Sequence, residues 1–310
     1  MRLIFFGNPK FAVPSLEVLA SSSHEIACVV TSPDRPSGRG RKLKAADVEI
    51  AANRLGLPAL QVQDLGDGSF LEKIAKYAAA LFAVVAFRIL PVELFGIPPL
   101  GAVNLHASLL PRYRGAAPIN RAIMAGETET GVTTFQIRKR VDTGDILLQN
   151  EEAISPDDTF DSLHDRLSLL GAGVLLDTID GLEKGTLKPI AQDPAAASKA
   201  PKLRPDDGEI DWSEPAEAIN NRVRGLSSTP GAFTYRDGNK LKIYSSEPIE
   251  ASREGFAPGE LIPANGAGGF VVAGGSGWLR VLELQPAGKK RMKAEDYLRG
   301  YPLAEGEVLG

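Results

Sequence analysis

Short, unbroken apolar runs separated by turn-forming residues dominate the first half of the chain. Residues 3–6, 26–30 and 81–87 are continuous rather than alternating, the pattern of parallel strands buried on both faces. Stretches with helical spacing fall between them, at 10–20, 46–55 and 70–77, with an extended segment at 59–62. Pro14 lies in the first turns of its helix, where a missing N–H costs least. This alternation predicts an α/β fold built on a Rossmann-like, open, mostly parallel sheet. A helix at 116–125 and strands at 131–137 and 145–153 follow; the two strands are antiparallel if they pair directly. Leu163, Leu167, Leu170, Val174 and Leu175 mark a long helix at 159–184, with N-cap candidates in Asp157, Asp158 and Thr159.

Periodicity then disappears. Pro189, Pro194, Pro201, Pro205 and three consecutive alanines read as a linker at 186–205. Beyond it, Ser213 is positioned to cap a helix reaching about residue 225. Short strands recur at 232–235, 241–244, 259–262, 269–273 and 278–284, with Asp237-Gly238 as a hairpin turn. Five short strands in about 100 residues suit a small OB-like β-barrel. The expected organisation is a domain at 1–185, a linker at 186–205 and a second domain at 206–310. A length of 310 residues fits this, since single cores stop growing near ~250–300 residues.

Composition is that of an ordinary globular protein. The net charge of −4 means that nucleic-acid binding would need local patches. Cys28 is the one cysteine, which excludes an internal disulfide framework and a thiolate metal site. The three histidines, His24, His106 and His164, show no metal-ligand spacing, and no metal is expected. No apolar run approaches the ~20 residues needed to cross a bilayer, and the first residues lack a signal-peptide pattern. A cytoplasmic location is the expectation.

The first strand-to-helix turn carries Gly7 alone, and Gly38 and Gly40 lie in a basic loop. The dinucleotide fingerprint is missing, which argues against NAD. In open sheets the ligand sits beyond the carboxyl ends of the strands, where the loops after Phe6, Phe87 and His106 would open. Asn104 and His106 stand two apart, so in an extended segment both face one side. A carboxamide that can donate to an oxyanion and an imidazole that can move a proton suit acyl transfer. Asp142, between two apolar runs, is the best third partner. A lone histidine is more often structural than catalytic, and Asp142-Thr143-Gly144 also reads as turn chemistry; spacing alone does not decide between these.

The stretch Asn104-Leu105-His106-Ala107-Ser108-Leu109-Leu110-Pro111, continued by Arg114-Gly115-Ala116-Ala117-Pro118 and later Asp142-Thr143-Gly144-Asp145, resembles the folate-dependent formyltransferases, and among them the branch acting on methionyl-tRNA. The likeness runs from residue 1 to about 288 and includes 6–14, 32–43 and 284–290. It implies 10-formyltetrahydrofolate as formyl donor, initiator methionyl-tRNA as acceptor, and Asn104, His106 and Asp142 as catalytic residues. It also implies a folate slot at Phe87, Arg88, Ile89 and Leu90, shortened here toward the form of purine-pathway relatives, and folate contacts at Ser108, Leu109, Leu110 and Pro111. A C-terminal barrel and an acceptor-binding loop containing Arg39 complete the resemblance.

Two basic clusters bear on the acceptor. Arg35, Arg39, Arg41, Lys42 and Lys44 lie in a stretch at 33–46 that reads as a long loop, mobile without a partner. Arg280, Lys289, Lys290, Arg291 and Lys293 lie near the end of the chain. Each alone is an ordinary solvated face; two on an acidic chain suggest a bipartite phosphate-binding surface. Arg35, Arg39, Arg41, Lys42, Lys289, Lys290 and Arg291 are the expected tRNA contacts. Arg138-Lys139-Arg140 reads first as a solvated charge run. No stable protein partner is expected. Formyl transfer competes with hydrolysis of the same donor and with a non-catalytic RNA-binding module. The intact triad speaks against the module, and the basic loop against the hydrolase.

Overall fold

The computed structural model describes residues 1–37, 42–249, 255–264 and 269–310. It divides into two compact units. The first comprises Met1–Pro118, Glu129–Ala153 and His164–Pro201, the second Ile119–Thr128, Ile154–Leu163 and Lys202–Gly310.

In chain order the first part contains β1 Arg2–Gly7, α1 Val13–Ala20, β2 Glu25–Thr31, β3 Arg35–Ser37, β4 Lys42–Lys44, α2 Asp47–Arg54, β5 Ala59–Gln61, α3 Gly68–Lys76, β6 Leu81–Val85, α4 Val92–Phe95, β7 Ala102–His106, β8 Arg114–Gly115, α5 Pro118–Met124, β9 Glu129–Gln136, β10 Ile146–Ala153, α6 Phe160–Glu183 and β11 Lys199–Ala200. Among the described residues seven strands form one sheet in the order β10-β9-β7-β6-β1-β2-β5. The five from β5 to β7 run parallel, while β9 and β10 are antiparallel. Leu3, Ile4, Phe5, Phe6, Leu81, Phe82 and Ala83 are fully buried, which is why their runs do not alternate. The order reverses between β1 and β6, and at such a switch point the strand ends part to leave a crevice.

Local chemistry sets the helix starts. Asp67 accepts from Phe70 N at 2.9 Å and caps α3. Thr159 Oγ1 accepts from Ser162 N at 3.3 Å ahead of α6. The 33–46 stretch is not an open loop throughout: β3 and β4 pair antiparallel, Arg35 opposite Lys44. The stretch expected to be a linker is also built, as far as Pro201, into the first unit. Ile190 and Ile146 exchange two backbone hydrogen bonds of 2.8 Å, and β11 pairs parallel with β8. Its order comes from partners distant in sequence, which local periodicity cannot show.

The second unit contains α7 Ala216–Leu226, β12 Ala232–Arg236, β13 Asn239–Ile249, β14 Leu261–Pro263, β15 Phe270–Ala273, β16 Trp278–Pro286, β17 Met292–Lys293 and α8 Ala294–Gly300. Its strands form an antiparallel sheet in the order β12-β13-β16-β15-β14, with β17 on β16. Among the described residues no ladder joins β12 to β14. Ile219, Val223, Phe270, Leu279 and Leu284 form its core with Trp212, whose Nε1 donates to Thr234 Oγ1 at 2.9 Å. Ser213 does not cap α7: the N-cap is Pro215, and Ser213 turns back to donate to Asp211 Oδ1. Arg236 and Glu307 form a nearly buried ion pair, which Arg236 extends to the carbonyls of Tyr301 and Pro302. Among the described residues no helix is long and apolar enough to cross a membrane.

Candidate active site

β7 is central in the first sheet, between β6 and β9. Val84 lies opposite Asn104 on one side and Phe135 on the other, and Thr133 lies opposite His106. Because the strand is extended, Asn104 and His106 share a face at its carboxyl end. Asn104 is half-buried and His106 only 6% exposed. His106 Nε2 lies 2.9 Å from the carbonyl oxygen of Tyr113. A carbonyl can only accept, so the neutral ring carries its proton on Nε2 and keeps its lone pair on Nδ1.

Asp142 is held separately. Its Oδ2 accepts from Gly115 N at 2.8 Å, and no ion pair within 4.0 Å joins it to His106 among the described residues. The tautomer of the imidazole is therefore set by the Tyr113 carbonyl and not by Asp142. Tyr113 and Gly115 belong to one short segment, which thus touches both groups. Asp142 has φ +53°, a left-handed conformation that aspartate tolerates better than most residues. The turn behind it requires glycine, since a Cβ on Gly144 would lie 1.6 Å from the Gln136 carbonyl oxygen.

The expected folate residues divide by exposure. Ile89 is 73% exposed, and Phe87, Leu109 and Pro111 are half-buried. Phe87 packs edge-on against Phe6 with centroids 5.6 Å apart, an apolar surface at the β1/β6 switch point suited to a flat heterocycle. Leu90, Ser108 and Leu110 are buried. Ser108 Oγ donates to the Arg112 carbonyl at 2.7 Å, and Gln149 Nε2 donates to the Leu110 carbonyl at 2.8 Å, so both loop ends are fixed from behind. Arg88 is half-buried, and its guanidinium donates to the Val62 and Gln63 carbonyls at 2.6 and 2.7 Å. Burial pushes its pKa down.

The two basic clusters differ in how far their charges are neutralised. Arg35 is exposed on β3 and Lys42 begins β4, while Arg39 and Arg41 lie outside the described residues. Lys44 is paired with Asp47 at 3.0 Å. In the second unit Arg291 is paired with Glu283 and lies over the Tyr244 ring, and Arg280 is paired with Glu247 at 2.7 Å. Lys289 and Lys290 are exposed with no ion pair among the described residues.

Residues 1–179 match the model of the family described as formyl transferase, and 202–302 match the formyl transferase C-terminal domain. The methionyl-tRNA formyltransferase of Moorella thermoacetica is 49% identical, over 100% of this chain and 99% of that protein. The chain belongs to the formyl transferase family. Two solved structures share the fold at low identity. The N-formyltransferase from Helicobacter canadensis, in complex with folinic acid and dTDP-3-aminofucose, is 19% identical with a TM-score of 0.68, covering 94% of this chain and 99% of that one. Methionyl-tRNA formyltransferase from Clostridium thermocellum is 16% identical with a TM-score of 0.55, covering 82% and 95%.

Within this formyl transferase fold, sequence reasoning missed Gln192. Its Nε2 donates to the carbonyls of Asp142 and Gly144 at 3.0 and 2.7 Å, and its Oε1 accepts from Arg114 Nε and Nη2 at 3.0 and 2.6 Å. No periodicity or motif marks it, because all four bonds reach across about 50 to 80 residues.

Proposed function

We propose that this protein transfers the formyl group of 10-formyltetrahydrofolate to the α-amino group of initiator methionyl-tRNA. The observation that carries this is the placement of Asn104 and His106 on one face of β7 at the carboxyl edge of the sheet, in a chain 49% identical to a methionyl-tRNA formyltransferase. The free amine attacks the formyl carbon, forming a C–N bond and pushing an electron pair onto the formyl oxygen. The Asn104 carboxamide donates to that oxyanion. His106, whose Nδ1 holds the lone pair, takes the proton that the amine loses. It delivers the proton to N10 of the folate as the old C–N bond breaks. Asp142 supplies a fixed negative charge that favours the transient imidazolium. The apolar surface of Phe87 and Ile89 receives the pterin, with Leu109 and Pro111 on the opposite loop, while Leu90, Ser108 and Leu110 shape the slot from beneath. Arg88 braces it without touching the ligand.

The acceptor is held by phosphate contacts from Arg35, Arg39, Arg41 and Lys42 on the first unit and from Lys289 and Lys290 on the second. Arg291, neutralised by Glu283, contributes least. A formyl-transfer assay offering initiator methionyl-tRNA, elongator methionyl-tRNA and water tests the reading. Formylated initiator tRNA is the expected product; formate release with no formylated tRNA would establish the hydrolase instead. Arg39→Ala should weaken methionyl-tRNA use and leave folate binding intact. Lys290→Ala should reduce the slope of log K against log salt by about 0.9 if it meets a duplex phosphate.

A further inference from the structure

Gln192 sits in a proline- and alanine-rich stretch with no pattern of its own, yet every polar atom of its carboxamide is used. The amide nitrogen bridges Asp142 O and Gly144 O, and the amide oxygen takes both Nε and Nη2 of Arg114. The residues so joined belong to two different loops. One is the turn between β9 and β10 that carries Asp142. The other is the segment after β7, whose Tyr113 carbonyl fixes the His106 tautomer and whose Gly115 N–H holds the Asp142 carboxylate. The segment at 198–200 closes the same seam. Tyr113 N donates to Ser198 Oγ at 2.8 Å and Arg114 N to Ser198 O at 2.9 Å. A Cβ on Gly115 would lie 2.4 Å from Ala200 O.

We infer that Gln192 is a positioning residue for formyl transfer: it locks the Asp142 turn to the 113–115 segment, so that the carboxylate and the imidazole keep one mutual geometry. This rests on the catalytic reading of Asp142 and His106. The two arms of Gln192 can be separated. Gln192→Glu keeps an acceptor for Arg114 and strengthens it with charge, but replaces the donor to two carbonyls by a carboxylate oxygen that they repel. Gln192→Met fills similar volume and loses both arms.

Displacements near 1 Å in an active site cost about 10²-fold in rate. Gln192→Glu and Gln192→Met should each lower kcat by about 10- to 100-fold, with the KM for methionyl-tRNA and the affinity for tetrahydrofolate near wild type. On an Asp142→Asn background the further loss from Gln192→Glu should be small, because the two residues act through one geometry. The full-length chain is used throughout, with thermal unfolding recorded for every variant. If both Gln192 variants turn over like wild type while Asp142→Asn is crippled, the inference fails and the catalytic reading stands. If Asp142→Asn itself is unimpaired, the catalytic reading fails and takes the inference with it. If Gln192→Glu is rescued to wild-type kcat while Gln192→Met is not, the residue merely anchors Arg114, and the positioning role is overturned.

Discussion

In the first unit the histidine–aspartate neighbourhoods at His24 and His106 are built in opposite ways. At His24 both ring nitrogens are taken. Nδ1 accepts from the α-amino group of Met1 at 3.0 Å, and Nε2 donates to Asp180 Oδ1 at 2.8 Å. The ring is fully buried, and Glu183 pairs with the same α-amino group at 2.6 Å. His24, Asp180 and Glu183 lie close together; the ammonium of Met1 meets His24 and Glu183, and Lys184 meets Asp180 at 3.6 Å. At His106 one nitrogen is bonded to a backbone carbonyl and the carboxylate stands apart on its own support. An imidazole–carboxylate hydrogen bond is the familiar mark of a catalytic pair; of these two sites, the one that has it is the one with no nitrogen left for a substrate proton. A proton carrier needs a fixed tautomer and a spare lone pair, and a carbonyl provides the first without using the second.

Exchanging the two histidines gives the largest expected contrast. His106→Gln should lower single-turnover formyl transfer by about 10²–10⁴-fold, the range for a lost proton-transfer residue. His24→Gln should lower the thermal midpoint and leave the transfer rate unchanged. The reverse result would place the chemistry at the other histidine. Asn104→Ala follows in size. Loss of one oxyanion donor costs about 10²–10³ in kcat, and tetrahydrofolate binding should survive because the apolar slot is untouched. Wild-type turnover in Asn104→Ala would remove the carboxamide from the mechanism.

How much of this contrast could be read from the chain alone follows from the range of the interactions. The buried strands were legible because burial on both faces leaves unbroken apolar runs. Asn104 and His106 were legible because a strand repeats every two residues. Asp237-Gly238 was legible because both residues adopt positive φ, +49° and +72°, in the turn between β12 and β13. The tautomer of His106, the anchoring of Asp142 at Gly115, the clamp of Arg88 on Val62 and Gln63 and the bridging by Gln192 were not legible. Apart from the Arg114 arm of Gln192, each is a hydrogen bond between a side chain and backbone of another segment, and backbone polar groups have no sequence signature. The same blindness made 186–205 look like free linker.

A pair of glycine substitutions tests whether the separate support of Asp142 matters. Gly144→Ala places a Cβ 1.6 Å from Gln136 O, so the turn carrying Asp142 must move. A loss of about 10²-fold in kcat is expected for such a misplacement. Gly173, exposed on α6, has open space around its missing Cβ. Gly173→Ala should be active and more stable by about 0.5–1 kcal/mol, the usual gain in a helix interior. If Gly144→Ala is fully active and its crystal structure shows Asp142 displaced, the geometry argued for the carboxylate is not needed.

The smallest effect concerns pH and separates the two aspartates. The Asp180 carboxyl is held below its ordinary range, chiefly by the hydrogen bond from His24, with Lys184 adding a weaker attraction. A carboxyl whose pKa is depressed in the folded protein stabilises it above the unfolded value, about 3.9 for aspartate. That contribution is lost as pH falls through the lower folded value. The thermal midpoint of the wild type should therefore fall more steeply on acidification below about pH 4 than that of Asp180→Asn, which has no carboxyl to protonate. Asp165 and Glu307 are depressed as well and add the same slope to both proteins; Glu183 is depressed too but feels the Asp180 charge, so the difference between the two curves reports Asp180 together with its coupling to Glu183. At neutral pH the two should form product at the same rate, whereas Asp142→Asn should be slow there. Equal loss of turnover in Asp180→Asn and Asp142→Asn would show that the bonded pair at His24 takes part in catalysis, and the contrast between a saturated and a half-used imidazole would no longer hold.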